Sequence, residues 1–197
     1  DHVAIVDDEP SSRACPDNSR IDSFRKAIEL PSTDALITRR PDLLLVVRTA
    51  DCLPVFLVDE ASGLLGVAHC GWRGLRLDLA EKSARRMIEN GADPARIQAW
   101  LAPCIRADHY EVGPELVGTF RTLFPQGCVS PNGTHLDLVS IARVQLLAAG
   151  LAGGNIFDSG LCTLCRPELF HSYRAEGPAA GRMLSVLGWN AAHRAAQ

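Results

Sequence analysis

No apolar run in this chain reaches the roughly 18 residues that a membrane-spanning helix needs, and no cluster of Lys and Arg forms the basic block that grips nucleic acid. The 20 basic and 23 acidic residues are interspersed and leave a formal net charge of −3. Neither a membrane nor a nucleic acid is therefore an expected partner. An acidic tail, an internal repeat, a low-complexity tract and a linker-like stretch are all missing, so the expectation is one domain rather than several. The chain also lacks an initiating methionine and the charged and apolar regions of a signal peptide. It opens at "DHVAIVD", which reads as a processed N-terminus or a fragment.

What is present is enough for a substantial core: 197 residues, of which 47% are hydrophobic. Seven cysteines are an odd number in a chain too large to need disulfide staples. Cys52, Cys70, Cys104, Cys162 and Cys165 adjoin apolar segments, as reduced thiols do, and imply a reducing, cytoplasmic setting.

Strand-like and helix-like segments alternate. "HVAIVD", "DALIT" and "DLLLVVRTA" read as strands, the last apolar enough to be buried on both faces. "LPVFLVDE" and "LLGVAHC", joined by Ala61-Ser62-Gly63, form an antiparallel hairpin pattern. "GLRLDLAEKSARRMIENG" carries a helical stripe that Gly91 terminates. "ARIQAWLAPCI" is a further strand. "GPELVGTFRTLF" is a helix with Pro114 in its first turn, and "HLDLVSIARVQLLAAGL" is a second, which Asp137 opens. A short strand at "NIFDSG" and a last one at "GRMLSVLGW" complete the set. Residues 9–34 are polar and bear Pro and Ser, as a loop or insertion does, with a short helix expected at "DSFRKAIEL".

The chemistry-bearing residues gather near the hairpin. Cys52 precedes its first arm and His69 lies near the end of its second, so antiparallel pairing brings them to one end of a sheet. Thiolate and imidazole together suit zinc or copper. The same pair is also a nucleophile and its base, or a buried thiol beside a hydrogen-bonded core histidine, and spacing does not separate the three. Gly71 and Gly74 bracket Trp72-Arg73, where Arg73 is either an anion clamp or a surface residue on a tight turn. Arg174 and Arg182 are site cations or paired surface charges. Cys162-Thr-Leu-Cys165 is a single CxxC without a second pair at zinc-finger spacing, a weak metal signal. Asp108 and His109 share a loop with Cys104.

Taken in order, "TADCLPVFLVD", "GVAHCGWRGL", "APCIRADHYEVG", "LDLVSIARVQLLAAGL", "CTLCRPELFHSYR" and "GRM" resemble the signature blocks of the laccase-domain family. Its members have also gone by the names multicopper polyphenol oxidoreductases and peptidoglycan editing factors. The resemblance spans about residues 34 to 189. It implies an α/β fold of mixed β-sheets flanked by helices, in α/β/β/α layers similar to the toxin cysteine-hydrolase fold. Residues 1–197 would be a single such domain without its N-terminal strands. It also implies a purine nucleoside phosphorylase acting on adenosine, inosine, guanosine and methylthioadenosine, with adenosine deaminase activity and with phosphate as co-substrate.

Zinc, with copper as the other candidate, would be held by Cys52 and His69. The family's third ligand, a histidine in a QVHG block, would fall just before Asp1, and His2 matches a residue after that block. Arg73, Arg48 and Arg174 are the expected anion binders, and Asp51 is the expected proton-transfer or supporting carboxylate. Where the family often has a Cys-Cys pair, this chain has Asp108-His109. Two other enzymes remain on the same residues: a Cys–His amidase editing peptidoglycan precursors, with Cys52 acylated and His69 its base, and a copper-dependent polyphenol oxidase. Six histidines without a closely spaced cluster argue against the oxidase.

Overall fold

The computed structural model describes residues 2–7, 29–124, 127–130 and 133–190. The helix expected at "DSFRKAIEL" lies almost wholly outside them. Strands β1 (His2–Ile5), β2 (Thr33–Thr38), β3 (Leu45–Thr49), β4 (Leu53–Asp59) and β5 (Leu64–Cys70) come first. Helices α1 (Trp72–Arg76) and α2 (Leu79–Glu89), strand β6 (Gln98–Leu101), and helices α3 (Pro114–Leu123) and α4 (Leu138–Ala148) follow. Strand β7 (Ile156–Asp158), the short helix α5 (Tyr173–Glu176) and strand β8 (Met183–Leu187) end the order. Six strands form a mixed sheet in the order β1-β2-β5-β4-β6-β7, and β3 pairs with β8 in a separate two-stranded sheet. Among the described residues no helix is long and apolar enough to cross a membrane.

The hairpin at the centre follows from its sequence. Alternate residues of β4 point to opposite faces: Leu53, Val55 and Leu57 enter the core beneath the helices, while Phe56 and Val58 face the smaller sheet. Register runs from Leu53 opposite Cys70 to Asp59 opposite Leu64. Gly63 closes the turn at φ 69°, a left-handed conformation that suits glycine. Each fully buried Leu or Val in this core contributes about 1.5–3 kcal/mol of transfer free energy.

Helices α1, α2 and α4 cover one face of the large sheet, and the β3–β8 pair covers the other through Leu45, Val47, Leu65 and Val67. The architecture is thus mixed sheets flanked by helices. β3 is not buried on both faces: Leu45, Val47 and Thr49 turn inward, and Val46 and Arg48 outward. Among the described residues its only ladder partner is β8, whose Leu184 and Val186 are likewise exposed, so only one face of this small sheet meets the core.

The helix expected after residue 73 is broken into two. Asp78 adopts φ 59°, ψ 35° between α1 and α2. The buried Gln145 side chain of α4 bridges the break: its Nε2 donates to Leu75 O at 2.6 Å, and its Oε1 accepts from Ala80 N at 3.2 Å. Backbone groups freed inside a core need such partners, and the local periodicity carried no sign of a residue so distant in sequence.

Asp59 fixes the turn of the hairpin to the loop before β6. Its side chain is 1% exposed and accepts from Asp93 N at 3.0 Å, from Ala61 N at 3.2 Å and from Arg96 Nε at 3.5 Å. Burial pushes its carboxyl up, but the Asp93 N–H, Ser62 and Arg96 together hold it below the ordinary 3.8. A carboxyl lowered in the folded state stabilises fully above its unfolded value and stops doing so as pH falls through the folded one. Asp59→Asn is therefore expected to lower stability by about 1.5–3 kcal/mol at neutral pH. Denaturant titrations should show the difference from wild type shrinking below pH 3.8. An unchanged midpoint at pH 7 would contradict the assignment.

Candidate functional site

β3 ends, β4 begins and β5 ends at one edge of the molecule, and the residues singled out in the sequence meet there. His69 pairs with Pro54, and continuing that register sets Cys52 opposite Gly71. Both side chains lie on the sheet face that carries Phe56, Leu65 and Val67. A Cβ built on Gly71 would fall 2.9 Å from Cys52 Sγ and 4.0 Å from His69 Nε2, so thiol and imidazole converge on the space that a side chain at position 71 would fill. Gly71 itself has φ −76°, so space and not conformation calls for glycine. Gly74 differs: a Cβ there would meet Leu79 Cδ2 at 2.8 Å in the core.

The pair opens into a cavity of about 550 Å³ that Arg48, Asp51, Arg73 and Arg174 also line. That volume suits a small organic ligand. The cavity adds Asp34, Tyr110, Tyr173 and Arg182; of these, sequence reasoning had singled out Arg182 alone. Tyr110 and Tyr173 sit inside family motifs, but nothing in their spacing marked them as facing Cys52.

Burial, reinforced by Asp51 and opposed by Arg73, pushes the Cys52 thiol up to about 11. Burial also lowers His69, against a smaller opposing effect of Asp34. Without a cation the pair is a neutral thiol beside a neutral imidazole. Burial likewise raises the Tyr110 hydroxyl to about 12, which leaves it a proton donor at neutral pH.

Asp51 adopts φ 83°, and both of its carboxylate oxygens are engaged. Thr163 Oγ1 donates to Oδ1 at 2.6 Å, and the Arg174 backbone N–H donates to Oδ2 at 2.7 Å. Asp51 thereby ties the CxxC segment and the start of α5 to the edge beside Cys52. This geometry gives it a supporting place beneath the cavity.

The arginines are held differently. Arg73 stacks its guanidinium 4.5 Å from the Trp72 ring centroid, and Arg174 lies 5.4 Å from that of Tyr110 while donating to Glu111 O at 2.7 Å. Arg48 reaches out to Glu29 at 3.0 Å in an exposed ion pair, the weakest kind of tether. His2 is not among the cavity's lining residues.

A second constellation lies outside the cavity lining. His109, Cys162 and Cys165 place one ligand atom each within 4.8 Å of one another, with Cys165 Sγ 3.0 Å from His109 Nε2. Burial raises the Cys162 thiol, but N–H groups of Arg106, Cys165 and Leu164 and the Cys165 thiol bring it below its ordinary value. Sequence spacing left His109 and the Cys162–Cys165 CxxC in separate motifs. A parallel backbone β-bridge at Cys104 and Cys162 brings their loops together.

Relatives of this chain are known. A purine nucleoside phosphorylase of Deinococcus radiodurans is 38% identical over 157 residues, covering 79% of this chain and 60% of that protein. Adenosine deaminase RL5, from an unknown prokaryotic organism, is 37% identical over 173 residues, covering 85% of this chain and 65% of that protein. The crystal structure of the Bacillus licheniformis hypothetical protein YfiH superposes with a TM-score of 0.75 at 35% identity, over 80% of this chain and 62% of that one. The chain thus spans 60–65% of the length of these relatives. The model of one family, described as multi-copper polyphenol oxidoreductase laccase, matches residues 1–190. With its fold and its motifs in agreement with that match, the chain belongs to the multi-copper polyphenol oxidoreductase laccase family.

Proposed function

We propose that this chain belongs to a zinc-dependent enzyme that cleaves purine nucleosides with phosphate and also deaminates adenosine. The observation that carries this reading is the meeting of Cys52 and His69 with Arg73, Arg174 and Arg182 in the lining of one cavity. The names of the relatives, a purine nucleoside phosphorylase and an adenosine deaminase, point to the same substrates.

The donors present fit a zinc ion: a thiol and an imidazole line the same cavity on either side of Gly71. The family resemblance adds a third histidine upstream of Asp1. β1 starts alongside Thr33, one residue from Asp34, which lines the cavity that Cys52 and His69 share. Bound there, zinc would supply Lewis-acid polarisation of a substrate atom. A multicopper centre would need several imidazoles, and among the described residues His69 is the one histidine that lines this cavity.

The remaining work falls to the chain's own residues. In phosphorolysis a phosphate oxygen bonds to the ribose C1′, the bond from C1′ to the purine nitrogen breaks, and the purine leaves with a proton. Arg73 and Arg174 offer planar guanidinium groups for phosphate oxygens. Trp72 and Tyr110 back the guanidinium groups of Arg73 and Arg174, and the Tyr110 hydroxyl is a proton donor. Asp51 holds the backbone of Arg174 in place.

The test is product analysis with adenosine and inosine, with and without phosphate. Free base and ribose 1-phosphate should form only when phosphate is present, and adenosine should also give inosine in its absence. Base release that ignores phosphate would replace this reading with a hydrolase.

A further inference from the structure

We propose that His109, Cys162 and Cys165 form a second zinc site, which staples the loop before α3 to the CxxC turn behind the cavity. This inference is independent of what the cavity binds. Two thiol sulfurs and one imidazole nitrogen are the donors of borderline-soft cations, and zinc is the common one. Tetrahedral zinc, with bonds of about 2.3 Å to sulfur and 2.0–2.1 Å to nitrogen, sets its ligand atoms roughly 3.5–3.8 Å apart. The three atoms here already lie within 4.8 Å of one another, and Cys165 Sγ and His109 Nε2, at 3.0 Å, share a hydrogen bond. Small side-chain shifts would therefore convert a hydrogen-bonded cluster into a coordination sphere.

The surroundings favour a bound cation over a chance meeting of side chains. The two segments already pair through their backbones, in a parallel β-bridge at Cys104 and Cys162 and with Thr163 N donating to Cys104 O at 3.1 Å; both of these cysteines carry free thiols. Cys165 is exposed and Cys162 is buried, so an ion would enter from solvent and keep a fourth position for water. Binding would displace the thiol protons of both cysteines.

The location gives the site its consequence. His109 is followed directly by Tyr110, whose ring carries Arg174. Thr163, between the two cysteines, donates to Asp51, and Asp51 adjoins Cys52. An ion clamped here would hold both Tyr110 and Asp51 from behind, acting on the cavity by positioning alone.

The test is zinc binding by the reduced protein, measured by competition with a chromophoric chelator, in the Cys52→Ala background so that the cavity pair is disabled. That variant should still bind one equivalent of zinc, and adding Cys165→Ser should abolish the binding. Because Cys165 is exposed, the serine variant should keep its fold, which circular dichroism will verify. Cobalt added to Cys52→Ala should give a thiolate-to-cobalt charge-transfer band that Cys165→Ser removes. No zinc uptake by Cys52→Ala, or equal uptake by the double variant, would overturn the proposal. A difference in zinc between wild type and Cys52→Ala reports on the cavity site separately.

Discussion

Cys52→Ala should abolish turnover of purine nucleosides and, in the same protein, remove the metal held in the cavity. Losing a group that merely supports a metal ligand typically costs about 10–100-fold in affinity or activity, so loss of a ligand should exceed that range. The fold should survive, because Cys52 lies at the cavity and not among the fully buried core residues. Since the Cys52 thiol is raised to about 11, a cation must displace its proton on binding. Apparent metal affinity should accordingly rise with pH across the neutral range.

Metal content by mass spectrometry, alongside nucleoside phosphorolysis, checks the pair of effects. The competing account makes Cys52 a nucleophile with His69 as its base. It requires that Cys52→Ala lose activity while keeping its metal, and that a reactive amide substrate trap a thioester on the wild-type protein. Equal cavity metal in wild type and variant would decide for that account.

How far the sequence reached can be seen from particular residues. The hairpin was legible because its alternation and Gly63 are local signals, and register alone then carried Cys52 and His69 to one face. The start of α4 was legible for the same reason: Asp137 accepts from Val139 N and Ser140 N, as a helix-opening aspartate does. The break at Asp78 was hidden because its cause is Gln145, far along the chain. The exposure of Val46 was hidden because a strand's apolar content does not say how many sheets will cover it.

At the site, the motif residues Arg48, Asp51, Arg73 and Arg174 do reach one cavity. Their roles were less legible than their positions. Asp51 spends both oxygens on Thr163 and Arg174, and Arg48 turns toward Glu29. Gly71 and Gly74 look equivalent as letters, yet one faces the thiol and the other the core.

That last difference sets up the sharpest separation of function from stability. Gly71→Ala introduces a methyl group 2.9 Å from Cys52 Sγ, closer than nonbonded carbon and sulfur sit, so the sulfur must rotate out of the place where it meets His69. The backbone at Gly71, φ −76° and ψ 172°, accepts alanine without strain, and such a replacement tends to stabilise by about 0.4–1 kcal/mol through the unfolded chain. The expected result is a protein that melts at or slightly above the wild-type temperature but has lost cavity metal and nucleoside turnover by more than about tenfold, the lower end of what a disturbed ligand costs. Gly74→Ala is the contrasting change. Its methyl group meets Leu79 Cδ2 at 2.8 Å, and overpacking of this kind costs about 1–3 kcal/mol, so it should lower the melting temperature while retaining cavity metal. Calorimetry and metal analysis on the two variants side by side read out the separation. Wild-type metal content and activity in Gly71→Ala would mean that the Cys52–His69 pair is not where the chemistry happens.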